Sequence, residues 1–122
     1  MNSRVVVTGV GLVSAVGIGT RETWKALLEG RCGIGPITHF DASQFSSRIA
    51  GEVKDFDPLR FLDKKEARKM DVFIHYALAA SSFAMEDSGL QVTSENGPRV
   101  GVYIGSGIGG FSTIEREHEA LM

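Results

Sequence analysis

The chain has 122 residues, of which 43% are hydrophobic and 23% are charged, and this composition is ordinary for a globular protein. Its formal net charge of −2 gives no overall reason to expect a nucleic-acid partner. No apolar run approaches the roughly 18 residues that a membrane span needs, and the first residues do not resemble a signal peptide, so we expect a cytoplasmic protein. The single cysteine, Cys32, excludes an internal disulfide and a zinc site built from cysteines.

The first half of the chain predicts one strand, a loop and one helix. Three consecutive valines make residues 4–8 a candidate buried strand, which glycine ends. A loop of small residues follows. Thr20 is a suitable N-cap for the next helix, and Gly30 is suited to end it. Residues 31–58 are otherwise irregular, with one possible short strand at 49–53.

The middle of the chain predicts a short helix and then a buried one. Residues 58–70 form the first, with Pro58 in its opening turn. For the second, Asp71 is a candidate N-cap and Gly89 a candidate end. Apolar residues occupy most of the circumference of this second helix, which is typical of a helix covered on all sides. Because so short a domain seldom surrounds such a helix, we expect covering layers outside this chain.

A second strand and a glycine-rich loop complete the pattern. Residues 100–104 predict another buried strand, residues 105–110 the loop, and residues 111–121 a final helix. Two buried strands separated by helices predict a parallel sheet in a layered α/β fold. Sheets usually have roughly four to six strands, so the sequence predicts the first part of a larger fold.

The glycine-rich loop allows two interpretations. Gly105, Gly107 and Gly110 fit the G-x-G-x-x-G pattern of a dinucleotide site, between a predicted strand and a predicted helix. Against this, the acidic residue expected about 20 positions later would fall beyond Met122. The other interpretation is a turn that lines a pocket. Ile108 is the single apolar side chain among these glycines, and is well placed to project into a cavity.

Three other candidates have simpler explanations. Glu115 and His118 have the spacing of a metal-ligand pair on a helix, but only one copy is present, so a solvated face is favoured and no metal site is expected. Cys32 follows the end of a helix, where the dipole disfavours a thiolate, and is interpreted as a packing residue. His75 is expected to be a hydrogen-bonded histidine on the buried helix.

A cluster of cations occupies one side of the predicted helix at 58–70: Lys64, Lys65, Arg68 and Lys69. The simplest interpretation is a solvated face. The functional alternative is a docking site for an acidic partner, where clustered cations speed and orient association. The cluster is too small to argue for nucleic acid.

Several segments together resemble the β-ketoacyl-acyl carrier protein synthases, the elongating condensing enzymes of fatty acid synthesis. The similar stretches run through the whole chain in order: RVVVTGVG at 4–11, the segment 23–34, Phe40-Asp41, the helix at 79–90 ending in EDSGL, and GVYIGSGIGG at 101–110. Each stretch is weak alone, but the set is specific. The type II branch fits best, because Ile108 and the cations Lys65, Arg68 and Lys69 are present.

The resemblance implies a thiolase-like, five-layered α-β-α-β-α fold, of which residues 1–122 would form part of the N-terminal half. It implies a homodimeric acyltransferase that condenses an acyl thioester with malonyl-acyl carrier protein by decarboxylative Claisen condensation. The family's catalytic cysteine and two histidines lie later than Met122. We therefore expect no catalytic residue in this chain, which alone should be inactive, and no cofactor.

The resemblance assigns two sites residue by residue. Ile108, with Gly107 beside it, corresponds to the residue that lines the acyl pocket and gates chain length. Lys65, Arg68 and Lys69 match the basic helix that docks the acidic acyl carrier protein. The residues themselves agree, since an apolar side chain in a glycine loop suits an acyl chain and an exposed cationic face suits an acidic partner.

Two alternatives stay open. One is the non-catalytic partner subunit, or chain-length factor, of a polyketide synthase, which shares the fold but lacks the cysteine. The other is a nucleotide-binding α/β domain that uses the loop at 105–110.

Overall fold

The computed structural model describes residues 4–122, and helices make up most of its regular structure. The helices and strands, in chain order, are β1 (Val13–Ser14), β2 (Gly17–Ile18), α1 (Thr20–Leu28), β3 (Ile34–Pro36), β4 (Ile49–Gly51), α2 (Lys64–Ala67), α3 (Val72–Ser88) and α4 (Phe111–Leu121). Single 3₁₀ turns cover Pro58–Arg60 and Gly97–Arg99. Among the residues that the structure describes, no helix combines the length and the apolar character that a membrane crossing requires.

The strands form two small antiparallel pairs. β1 pairs with β2, and β3 pairs with β4 in a register that places Gly35 opposite Ala50. The predicted strand at 49–53 is therefore confirmed in part, as β4. The predicted parallel sheet is wrong for residues 4–122, because each of these pairs is a local hairpin and none is joined by a helical crossover.

The two predicted buried strands, at 4–8 and 100–104, are not strands within the described residues. Val5 is 95% exposed, Val102 86% and Tyr103 99%. A strand forms where a neighbouring segment pairs with its N–H and C=O groups, and no segment of residues 4–122 does so here. Both segments are apolar, as the pattern indicates, but no other segment within residues 4–122 pairs with them or buries their side chains.

The segment after the first valines packs closely on α3. The backbone N–H of Val10 donates to the Asp87 carboxylate at 2.9 Å. A Cβ on Gly11 would overlap the backbone of Ala80, and one on Gly9 would lie 2.7 Å from the Ser88 Cβ. Glycine is required at both positions, because only a backbone without side chains can approach the helix this closely.

Helix α1 begins one residue earlier than predicted. Its N-cap is Gly19, with φ of 104°, and Thr20 is its first helical residue. The Thr20 hydroxyl donates to the Val10 carbonyl at 2.7 Å instead of capping the helix, so the predicted cap is wrong. Gly30, with φ of 65°, follows the last turn and ends the helix as predicted.

The predicted continuous helix at 58–70 is wrong, because Asp63 separates a 3₁₀ turn from α2. The Asp57 carboxylate accepts from Leu59 N–H at 2.9 Å and starts the 3₁₀ turn, where Pro58 takes the predicted first-turn position. Asp63 has extended backbone, with ψ of 157°, and its carboxylate starts α2 by accepting from Lys65 N–H at 2.8 Å. An aspartate that satisfies the free N–H groups of a new helix cannot at the same time continue an old one.

Helix α3 is the longest element, with 17 residues. Asp71 occupies its N-cap position but makes no side-chain cap hydrogen bond, and Gly89, with φ of 65°, ends it as predicted. His75 and Ala79 are its buried residues, and the other side chains are half-buried or exposed. The prediction of a helix covered on all sides is therefore met only where the loop at 9–11 and the rings of Phe56 and Phe61 pack against α3.

Candidate functional site

The predicted docking cations lie on a short helix and the turn that follows it, here called the basic segment (residues 64–69). Lys64 and Lys65 open α2, Arg68 is its C-cap, and Lys69 lies one residue beyond. All four side chains are exposed. The predicted single face of a longer helix is wrong, since α2 has four residues, but the cations remain together because the segment stays coiled through its last turn.

One acidic residue within the basic segment moderates its charge. The Glu66 carboxylate contacts the Lys69 ammonium at 2.7 Å, in an i, i+3 pair whose two side chains are 41% and 55% exposed. Glu66 is not among the site residues predicted from the sequence, although its spacing to Lys69 is visible there. Among the described residues, no ion pair forms at Lys64, Lys65 or Arg68. Three of the four cations are thus available to an outside partner.

Aromatic rings hold the chain leading into the basic segment against α3. Phe61 stacks on Phe56 with centroids 5.9 Å apart, and it meets Phe83 of α3 edge-on at 5.3 Å. Phe56 also meets Tyr76 of α3 edge-on at 4.9 Å. Burial in this cluster raises the pKa of the Tyr76 hydroxyl above its usual range. The cluster anchors the N-terminal side of the basic segment.

A histidine anchors the other end. The Nε2 atom of His75, one of the two buried residues of α3, lies 3.0 Å from the carbonyl oxygen of Ala67, the last residue of α2. The prediction that His75 is a hydrogen-bonded buried histidine is confirmed. The basic segment is therefore fixed to α3 on both sides.

The glycine-rich loop at 105–110 rests on the start of α3. Gly109 has φ of 84°, and a Cβ there would lie 3.0 Å from the Phe73 ring. A Cβ on Gly110 would overlap the Asp71 carboxylate. The positive φ and the ring contact favour glycine strongly at position 109, and the close approach of Gly110 to Asp71 helps to place the end of the loop just before α4 begins.

Ile108 and Gly107 form the exposed bend of this loop. Within the described residues the Ile108 side chain is 72% exposed. A cavity of about 260 Å³ lies beside the loop, between the starts of α3 and α4, but Ile108 is not among the residues that line it. The role of Ile108 and Gly107 in an acyl pocket stays a prediction.

The two predicted sites are neighbours in the structure. The basic segment ends at Lys69, and the next residue, Met70, lines the cavity together with Phe73 and Gly109. The start of α3 thus connects the docking cations to the loop that carries Ile108.

The remaining candidates stay apart from these two sites. Cys32 is exposed after the end of α1 and lines a separate depression of about 390 Å³. Glu115 and His118 are exposed on α4, and the described residues contain no group of three potential metal ligands. The strand that a dinucleotide fingerprint needs before its glycines is not formed within residues 4–122.

Comparison with known proteins places the chain in a family. Residues 2–121 match the family model described as "Beta-ketoacyl synthase, N-terminal domain". A curated relative named "3-oxoacyl-[acyl-carrier-protein] synthase 2", from Vibrio harveyi, is 59% identical over 98% of this chain. Proteins of the same name from Vibrio cholerae and Coxiella burnetii are 56% and 53% identical over the same share.

The matches also bear on length and fold. The chain spans 29% of the length of each of these three relatives. A solved structure described as "The ishigamide ketosynthase/chain length factor" is 40% identical, with a TM-score of 0.64, over 70% of this chain and 21% of that one. The family model covers residues 2–121, and the solved relative shares the mixed α/β structure. The chain therefore belongs to the β-ketoacyl synthase family.

Proposed function

We propose that this chain supplies the N-terminal segment of a β-ketoacyl-acyl carrier protein synthase. The whole protein would be an acyltransferase with a thiolase-like, five-layered fold. It would elongate acyl chains in fatty acid biosynthesis by decarboxylative condensation with malonyl-acyl carrier protein. The observation that carries the proposal is the match of at least 53% identity, over nearly the whole chain, to three relatives that share one name. A cytoplasmic homodimer is part of the proposal.

Within that enzyme, the basic segment would dock the carrier protein. This segment carries three exposed cations: Lys65, Arg68 and Lys69. The aromatic cluster on one side and the His75 hydrogen bond on the other hold it against α3. Carrier proteins that present acidic surfaces would be attracted and oriented by such a cluster, and a pre-formed cluster lowers the entropy lost on binding. Arg68 and Lys65 would contribute most readily, because Lys69 first has to give up its pair with Glu66.

Ile108 and Gly107 would form one wall of the acyl pocket. The loop is fixed at its end by the contacts of Gly109 and Gly110 with α3, so its exposed bend presents Ile108 in a defined place. An apolar side chain that is 72% exposed within this segment is a suitable wall for an acyl chain held by other parts of the enzyme. The catalytic cysteine and histidines would come from residues outside this chain, and we propose no cofactor.

The direct experiment is an assay of the full-length protein that carries this segment, with acyl- and malonyl-acyl carrier protein as substrates. We expect release of carbon dioxide and a β-ketoacyl product two carbons longer than the acyl substrate, identified by mass. A protein that binds both carrier proteins but forms no such product would contradict the proposal.

A chain-length factor of a polyketide synthase is the second candidate. It is favoured by the solved relative, whose description names a ketosynthase together with a chain-length factor. The residue at the position of the family's catalytic cysteine, later than Met122, separates the two functions. A cysteine there supports the condensing enzyme, and any other residue supports the non-catalytic subunit.

A further inference from the structure

We infer that His75 is a positioning residue for carrier-protein docking, and this inference rests on the docking role proposed for the basic segment. His75 itself is buried and would not touch the partner. It acts through its hydrogen bond to Ala67, which joins the buried face of α3 to the last residue of α2.

Helix α2 needs this support because it is too short to be stable by itself. α2 has four residues, and isolated helices of that length do not persist in water. Asp63 caps its first turn through hydrogen bonds to the N–H groups of Lys65 and Glu66, at 2.8 and 2.9 Å. At its last residue, the Ala67 carbonyl accepts from Met70 N–H at 3.5 Å, the limit for such a bond, and from His75 at 3.0 Å. The histidine therefore provides the stronger of the two contacts at this end.

The position of this contact determines which cations it affects. The Ala67 carbonyl belongs to the peptide unit that leads into Arg68, with Lys69 next in the chain. Fixing that peptide plane places the Arg68 N and Cα atoms, and so restricts the conformations open to Arg68 and Lys69. Without the hydrogen bond, the C-terminal turn of the basic segment has more conformations, and docking has to order it at an entropic cost.

The chemistry of the contact defines two informative substitutions. A carbonyl oxygen only accepts, so this hydrogen bond requires a proton on the Nε2 atom of His75. Glutamine has an amide N–H at the same number of bonds from Cβ as Nε2, so His75→Gln retains the donor and loses the ring. His75→Phe retains a ring of similar size and loses the donor.

The experiment measures steady-state kinetics of the full-length protein with acyl carrier protein substrates. For His75→Phe we expect KM for the acyl-carrier protein to rise roughly three- to tenfold, as expected for a lost hydrogen bond that orders a binding element, with kcat close to wild type. For His75→Gln we expect KM close to wild type. Hydrogen exchange should be faster in residues 65–70 of the phenylalanine variant, while its melting temperature reports separately on the fold.

Lys65→Glu, measured in parallel, separates this inference from the docking proposal. If Lys65→Glu leaves KM unchanged, the docking role itself is wrong. If Lys65→Glu raises KM but His75→Phe behaves as wild type, docking stands and His75 does not position it. A glutamine variant that is as impaired as the phenylalanine variant would mean that the ring, and not the hydrogen bond, matters, and would also overturn the inference.

Discussion

Glu52 shows how a single carboxylate organises an irregular part of this chain. It follows β4 and accepts hydrogen bonds from the Thr38 hydroxyl at 2.7 Å, the Thr38 N–H at 2.9 Å and the His39 N–H at 3.3 Å. The hydrogen bonds from Thr38, the side chain first and the backbone second, hold the pKa of Glu52 below its ordinary value of 4.5. These contacts tie the chain beyond β3 to the end of β4.

This lowered pKa predicts a pH dependence with a definite sign. Because folding favours the ionised carboxylate, its stabilising effect is fully present above pH 4.5 and is lost as the pH falls through the folded-state pKa. In the full-length protein, amide exchange at Thr38 and His39, corrected for intrinsic rates, should lose protection in that acidic range. Glu52→Gln should weaken the protection at neutral pH, because hydrogen bonds to a charged acceptor are stronger.

Glu95→Gln is the matched control for this prediction, since the Glu95 side chain is exposed and forms no ion pair within the described residues. Equal protection of Thr38 in Glu52→Gln and Glu95→Gln at neutral pH would contradict the account of Glu52.

At the scale of elements, helices could be predicted from the sequence because their signals are local. Gly30 and Gly89 end α1 and α3 where expected, and both adopt the left-handed conformation that glycine favours. α4 also has the expected bounds, Phe111–Leu121. Asp63 divides residues 58–70, and aspartate is a typical N-cap residue. The sequence on both sides of it, however, also fits one continuous helix, so the division was not predicted.

Strands could not be predicted in the same way, because a strand depends on a partner that local sequence does not identify. The valines of residues 4–8 and the segment 100–104 have strand composition but no partner within the described residues. The same difference between local signals and distant contacts applies to the candidate site. Its cations and glycine loop are visible in the sequence, whereas the contact between His75 and Ala67 depends on how α3 meets α2.

The glycine loop supports a prediction about substrate length. In the full-length protein, Ile108→Phe should reduce kcat/KM for long acyl chains by on the order of tenfold while short chains are used nearly as before, because added volume in an apolar pocket excludes methylene groups. The measurement is a series of acyl-carrier protein substrates of increasing length. Ile49→Phe, at an exposed isoleucine of β4, is the control. An unchanged length preference in Ile108→Phe would remove the gate assignment.

At the scale of the whole molecule, residues 4–122 bury very little apolar surface. The buried hydrophobic residues among them are all alanines: Ala26, Ala42 and Ala79. Large apolar side chains such as Leu28 and Leu121 are 72% and 86% exposed. This pattern is what the proposed larger fold predicts, since its additional layers would cover these side chains.

This exposure predicts the behaviour of the chain when it is expressed alone. Residues 1–122 should aggregate or bind a hydrophobic dye, and calorimetry should show no sharp cooperative unfolding, because the small buried core cannot offset the conformational entropy of folding. A monomer with a single sharp thermal transition would contradict the view that this segment needs further layers.

The docking role of the basic segment is tested most directly by the association rate of the full-length protein with its acyl carrier protein, measured by stopped flow at low and high salt. Lys65→Glu combined with Lys69→Glu should lower the rate on the order of tenfold at low salt and much less at high salt, because salt screens exposed charges. Lys25→Glu combined with Arg31→Glu makes the same change in net charge at exposed positions in and just after α1, and should have little effect. Equal rates in the two double variants, at every salt concentration, would contradict a docking role for the basic segment.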